Sequence, residues 1–205
     1  MRGRLICVLM ITLCLPLCGC GDESGQDVAA EARAPYQTME RCTMTAEVST
    51  AYGQEVSAFT LRCDYTPESS TVEVLSPETA AGVQAVLDGD GTALVYGGDC
   101  LPAGTRGSEK LSPASCLPRL MSALRSGWLL EENGEQWNDV SCLRLGLEQT
   151  GENGGKVIST LWLNEESYEP VRGEIAVGGE IILQAEFTEF EFGAILKNDG
   201  EAAAG

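Results

Sequence analysis

The chain contains no histidine. That removes Ser-His-Asp and Cys-His catalysis within the chain, and with it the commonest metal ligand. Basic residues are scarce: 13 Lys and Arg stand against 31 Asp and Glu, a formal charge of −18. Such a surface repels nucleic acid and anionic lipid headgroups, so no nucleic-acid partner is expected. No Cys-x-x-Cys occurs among the nine cysteines, so no metal cluster or cofactor is expected either. Apolar runs long enough to cross a bilayer are also missing. The run Leu5 to Leu17 has about 13 residues, short of the ~20 a spanning helix needs. What is present is 205 residues with 43% hydrophobic content, enough for one ordinary domain with a packed core.

The N-terminus reads as an address. Arg2 and Arg4 precede the uncharged run, which ends in Leu17-Cys18-Gly19-Cys20. Length and flanks fit a signal-peptide core. The ending resembles the bacterial lipobox, with cleavage before Cys20 and a diacylglyceryl group on its thiol. The alternatives are an ordinary signal peptide cut nearby, or a Cys-x-Cys metal pair, which needs further ligands. Loss of residues 1–19 leaves 11 basic against 31 acidic residues. Residues 20–35 then form an acylated Cys and a flexible acidic tether, because "GDESGQDVAAEARAP" shows no apolar periodicity. Residues 196–205 read as a disordered tail, and residues 36–195 as the folded domain. The expected location is the extracytoplasmic face of a cell membrane, held by the lipid anchor.

The folded part alternates with period two, the mark of half-buried strands. Cys42, Met44, Ala46 and Val48 share one face, and Phe59, Leu61, Cys63 and Tyr65 another. A hairpin centred between Tyr52 and Gly53 would pair 42 with 63, 44 with 61 and 46 with 59. Strands follow near 70–76 and on either side of Asp88-Gly89-Asp90-Gly91, a hairpin-turn signal. "LPAGTRGSEKLSPAS" reads as a loop, and "PETAAG" as a short helix at most. Ser112 as cap, Pro113 at the first position, a Leu117/Leu120/Met121/Leu124 face and Gly127 as stop define one clear helix. Pro118 falls in its early turns. Strands return at "VSCLRLGLEQ" and "KVISTLWLN", then form a hairpin around Gly178-Gly179. In the last strand Ile181, Leu183, Ala185 and Phe187 share a face, and the phase then switches to Phe190 and Phe192. That switch predicts a bulge or bend near Thr188-Glu189. The sum is eight to nine strands in an antiparallel meander curling around one or two helices.

The segment "LWLNEESYEPVRGEIAVGGEIILQAEFTEFEFG", with the early hairpin, the "VLSPE" step and the "LSPASCLPRL" helix, resembles the LolA/LolB/LppX half-barrels over about residues 36 to 195. With a lipobox in front, it is similar to Gram-positive LolA-like lipoproteins, including the GerS germination type. The resemblance implies a mainly β fold with α: an open, curved antiparallel sheet, apolar on its concave side and partly covered by helices. LolA and LolB carry acyl chains there, and LppX-type members are associated with lipid. For the GerS type the implied role is binding and activating an envelope or spore-germination partner, without catalysis.

Residues Met44, Phe59, Leu61, Leu94, Tyr96, Leu161, Leu183 and Phe187 form the apolar inward set. They either line a cavity for a lipid or other hydrophobic ligand, or are core filled by the helix. Five cysteines remain in the domain. Cys42 opposite Cys63 in the expected register is either a cross-strand disulfide or two small core residues. Cys100 and Cys116 bracket the loop before the helix and are the favoured disulfide. Cys142 is left odd. Catalysis is not expected. "GENGGKV" (151–157) fails as a phosphate loop, since Thr150 and Val157 occupy positions reserved for Gly and Ser/Thr. "DGDG" lacks the further acids of a calcium loop. With acids this common, a carboxylate pair carries no weight.

Overall fold

The structure, a computed structural model, describes residues 27–52, 55–105, 111–151 and 154–193. Cys18 and Cys20, the 1–19 leader and the 196–205 tail lie outside the described residues. Helix α1 is Val28–Thr38 and α2 is Pro113–Ser126. The strands are β1 Cys42–Tyr52, β2 Glu55–Tyr65, β3 Ser70–Ser76, β4 Gln84–Leu87, β5 Gly91–Tyr96, β6 Asp99–Thr105, β7 Trp128–Trp137, β8 Val140–Thr150, β9 Lys156–Asn164, β10 Pro170–Val177 and β11 Glu180–Phe192. All eleven form one antiparallel sheet in the order β6-β5-β4-β3-β2-β1-β11-β10-β9-β8-β7.

The sheet is curved, and α2 shows why. That one helix packs against β3, β2, β1, β11, β10, β9 and β8. Seven neighbouring strands laid flat span ~29 Å, whereas a helix is ~10–12 Å across. The sheet must therefore wrap the helix, with β6 and β7 as its open edges. Helix α2 forms as its sequence predicts. Ser112 and Ser115 make a capping box, Pro113 opens the first turn, and Gly127 ends the helix. Cys116, Leu117, Leu120, Met121 and Leu124 are fully buried on its sheet side. Gly173 on β10 permits the close approach: a Cβ there would lie 2.5 Å from Leu120 Cδ1.

Several expectations are corrected. Residues 20–35 were expected to be tether, but Val28–Thr38 is helix α1, capped by Asp27 through a bond from Ala30 N. Ala29, Ala32 and Tyr36 of α1 are buried at helical spacing, a face too rich in small residues and too close to Pro35 to register as amphipathic. The helices clasp each other through arginines. Arg33 donates to Leu124 O and Gly127 O at 2.9 and 2.8 Å, and Arg125 donates to Met39 O at 3.0 Å. Each guanidinium thus meets carbonyls at the negative end of the other helix. "DCLPAGT" is strand β6 and not loop, with Pro102 tolerated because the strand is an edge. Strand β7 was unread because Glu131, Glu132 and Glu135 hide its alternation. "PETAAG" is a turn.

The first hairpin pairs Cys42 with Tyr65, Met44 with Cys63 and Ala46 with Leu61. This differs by two residues from the expected register, so the faces are kept and the partners change. The bulge in β11 falls where the phase switch placed it: Thr45 pairs with Glu189 and Ala46 with Phe187, leaving Thr188 extra. A second shift pairs Ala176 with Ile181, so Ile181 leaves the Leu183 face and is exposed.

Candidate functional site

The eight inward residues share the inner face by register, but they fall into two environments. Met44, Leu61, Leu161 and Leu183 are buried under the helices. Phe59 and Phe187 are partly buried against the same core. These six belong to the centre packed by the helices. Leu94 and Tyr96 lie elsewhere, on a wing formed by β4, β5 and β6. The principal contacts of α2 stop at β3. On the wing, Leu94 stands opposite Ala85 and Leu101, and Tyr96 opposite Asp99. Leu94 is 38% exposed, Tyr96 64% and Leu101 67%. Leu101 lay in the stretch read as loop, so the period-two signal was not sought there.

Where the wing meets α2 there is a cleft of about 360 Å³. Ser115, Pro118, Arg119 and Ser122 form one wall, from the stripe of α2 beside its core face. The Tyr65–Ser70 turn, Leu87, Asp88, Gln149 and Thr150 complete it. Most of these groups are already engaged. Ser115 serves the capping box, Ser122 Oγ accepts from Gln149 Nε2 at 3.2 Å, and Asp88 Oδ1 accepts from Asp90 N and Gly91 N at 2.8 and 3.2 Å. Arg119 has no hydrogen bond or ion pair among the described residues. Leu87 lines the cleft and pairs with Thr92, one row from Ala85 and Leu94. The polar cleft and the apolar wing are thus continuous, with rows ~7 Å apart along the strands.

The disulfides expected at Cys42/Cys63 and Cys100/Cys116 are absent; all four are free thiols, as is Cys142. The register places Cys42 and Cys63 diagonally, where Cβ atoms stand too far apart to bridge. Cys100 is exposed on edge strand β6, while Cys116 is buried on the core side of α2. Burial pushes the Cys42 thiol up to about 12, with Asp64 adding to it, and burial alone pushes Cys116 up to about 12. Burial foremost, then Cys42, Asp64 and Cys116, raises Cys63 as well. All three are protonated core groups at neutral pH.

The outer face holds a cluster that sequence reasoning missed. Arg172 lies 4.0 Å from the Trp137 ring centroid and 5.5 Å from that of Trp162, while Arg144 lies 5.5 Å from Trp162. Glu174 and Glu186 pair with Arg172 at 2.6 and 3.2 Å, and Glu131 with Arg144 at 2.7 Å. These residues come from five strands, so no local spacing announces them. Among the described residues no group of three or more Cys, Asp or Glu is placed to hold a metal.

No protein-family profile matches the sequence, and no curated protein matches it by sequence. The comparison with solved structures finds similar chains. The chain is similar to a putative outer membrane lipoprotein-sorting protein domain from Vibrio parahaemolyticus, at 14% identity and TM-score 0.49, covering 84% of this chain and 93% of that one. It is similar to a LolA superfamily protein from Nitrosomonas europaea, at 12% identity and TM-score 0.47, covering 83% and 94%. It is also similar to the lipoprotein LppX from Mycobacterium tuberculosis, at 13% identity and TM-score 0.45, covering 82% and 96%. The likeness is one of architecture.

Proposed function

We propose that the chain is an envelope lipoprotein, acylated on Cys20, whose half-barrel binds a hydrophobic ligand on the inner face of the β4–β6 wing. The observation that carries this is the exposure of Leu94, Tyr96 and Leu101 on the concave side. Three large apolar side chains left uncovered on the inner face of one sheet mark a binding surface. The centre, already filled by α2, is structural. Catalysis forms no part of the reading. No helix among the described residues is long and apolar enough to cross a membrane; the attachment in this reading is the lipobox ending at Cys20.

Two measurements test it. Cys20→Ala should move the chain from the membrane to the soluble fraction, whereas Cys18→Ala should leave it membrane-bound. A fluorescent fatty-acyl probe should bind the full chain and be lost on Leu94→Asp, with the fold unchanged by circular dichroism. Absence of probe uptake, together with no lipid in organic extracts of the purified protein, would refute the binding reading.

A second reading is a scaffold or activator of an envelope protein through an open edge. It is favoured by Trp128 and Leu130, exposed on edge strand β7. Recovery of a stoichiometric membrane partner that Trp128→Ser releases would support it.

A further inference from the structure

We infer that the ligand is an amphiphile whose headgroup carries both a phosphate and an ammonium, with the head in the cleft beside Arg119 and the chain on the wing. The inference rests on the hydrophobic-ligand reading and adds the chemistry of the polar end. Arg119 carries it. This guanidinium is partly buried in the cleft wall and has no acceptor among the described residues, in a chain where acids outnumber bases more than twofold. A guanidinium fork matches a phosphate in bidentate fashion.

The cleft is not simply cationic. Glu68 and Asp88 also line it. Asp88 uses Oδ1 for its own turn, and Glu68 has no hydrogen bond or ion pair among the described residues. A head bearing only negative charge meets these two carboxylates and the net charge of −18, an unfavourable field. An uncharged head leaves Arg119 desolvated and unpaired, which costs binding. A phosphate with a tethered ammonium satisfies both signs at once. The geometry supplies the rest. Leu87 lines the cleft, and the next rows along the strands hold Ala85, Leu94 and Leu101, then Tyr96. A chain leaving the cleft therefore runs ~14 Å over apolar surface.

The test uses the full chain in non-ionic detergent with a bound fluorescent fatty-acyl probe. The competitors are lysophosphatidylethanolamine, lysophosphatidylglycerol and monoacylglycerol of equal chain length, plus glycerophosphoethanolamine, which has no chain. The zwitterionic lysolipid should displace the probe at about tenfold lower concentration than the other two lipids. Glycerophosphoethanolamine should need at least ~100-fold more. Arg119→Ala should erase the preference while monoacylglycerol still competes. Equal competition by the three lipids, a preference for the anionic one, chain-free competition as strong as the lysolipid's, or an unchanged ranking in Arg119→Ala would each overturn the inference. The hydrophobic-ligand reading would survive the lipid-ranking outcomes. Failure of the probe to bind would overturn both. Should Arg119→Ala not fold, the wild-type ranking still decides.

Discussion

The centre of the half-barrel and its wing are built from the same sheet and behave oppositely. In the centre, strands of 7 to 13 residues wrap α2, and Leu117, Leu120, Met121 and Leu124 fill the concavity. In the wing, strands of 4 to 7 residues carry inward apolar residues that no helix among the described residues covers. Burial of an inward leucine is thus decided by the reach of α2 and not by its place in the alternation. The centre holds the fold, and the wing leaves its inward apolar residues exposed.

The sharpest way to break this contrast is to empty the centre. Leu120→Ala should lower stability by ~2–5 kcal/mol through lost transfer energy and a cavity, read as a fall in the urea midpoint. Raising pH tests the buried thiols of the same region. Cys42 and Cys116 are pushed from 9.0 to about 12. Below pH 9 both folded and unfolded chains keep these protons, and the full stability is present. Above it the unfolded chain ionises first, so stability should fall by ~1.4 kcal/mol per pH unit for each thiol until the folded state titrates near 12. Urea melts between pH 8 and 11 measure the slope, and Cys116→Ala should reduce it. Gly173→Ala should cost ~1–3 kcal/mol, because Leu120 is too tightly held to yield to a new Cβ. The smallest effect belongs to the wing. Tyr96→Ser and Leu101→Ser should change stability by less than ~0.5 kcal/mol while abolishing fatty-acyl probe binding. A large loss of stability there would erase the distinction between the two regions.

Much of the fold was legible. The α2 caps, the Asp88–Gly91 turn, the Gly178–Gly179 hairpin and the Thr188 bulge were readable because each depends on residues within a few positions of one another. The sheet was undercounted where the local pattern is masked, by acids in β7 and by Pro102 in β6. Helix α1 was missed because its buried face is Ala29, Ala32 and Tyr36, and its hold on the domain comes from Arg33 reaching across to α2. Of the eight site residues proposed from alternation, only Leu94 and Tyr96 lie on open surface. The other six share their parity but lie in the helix-packed centre.

By itself the sequence determined which face of each strand points inward, where α2 starts and stops, and that histidine-dependent chemistry is excluded. These follow from period, cap chemistry and composition, all local or additive properties. Tertiary structure decided the two-residue hairpin register that leaves Cys42 and Cys63 unbridged. It decided the clasp of the two helices and the line between filled centre and bare wing. It also brought Arg119 and Asp88 into the lining of one cleft. Each of these joins residues far apart in the chain, and their meeting depends on how far one helix reaches across a curved sheet.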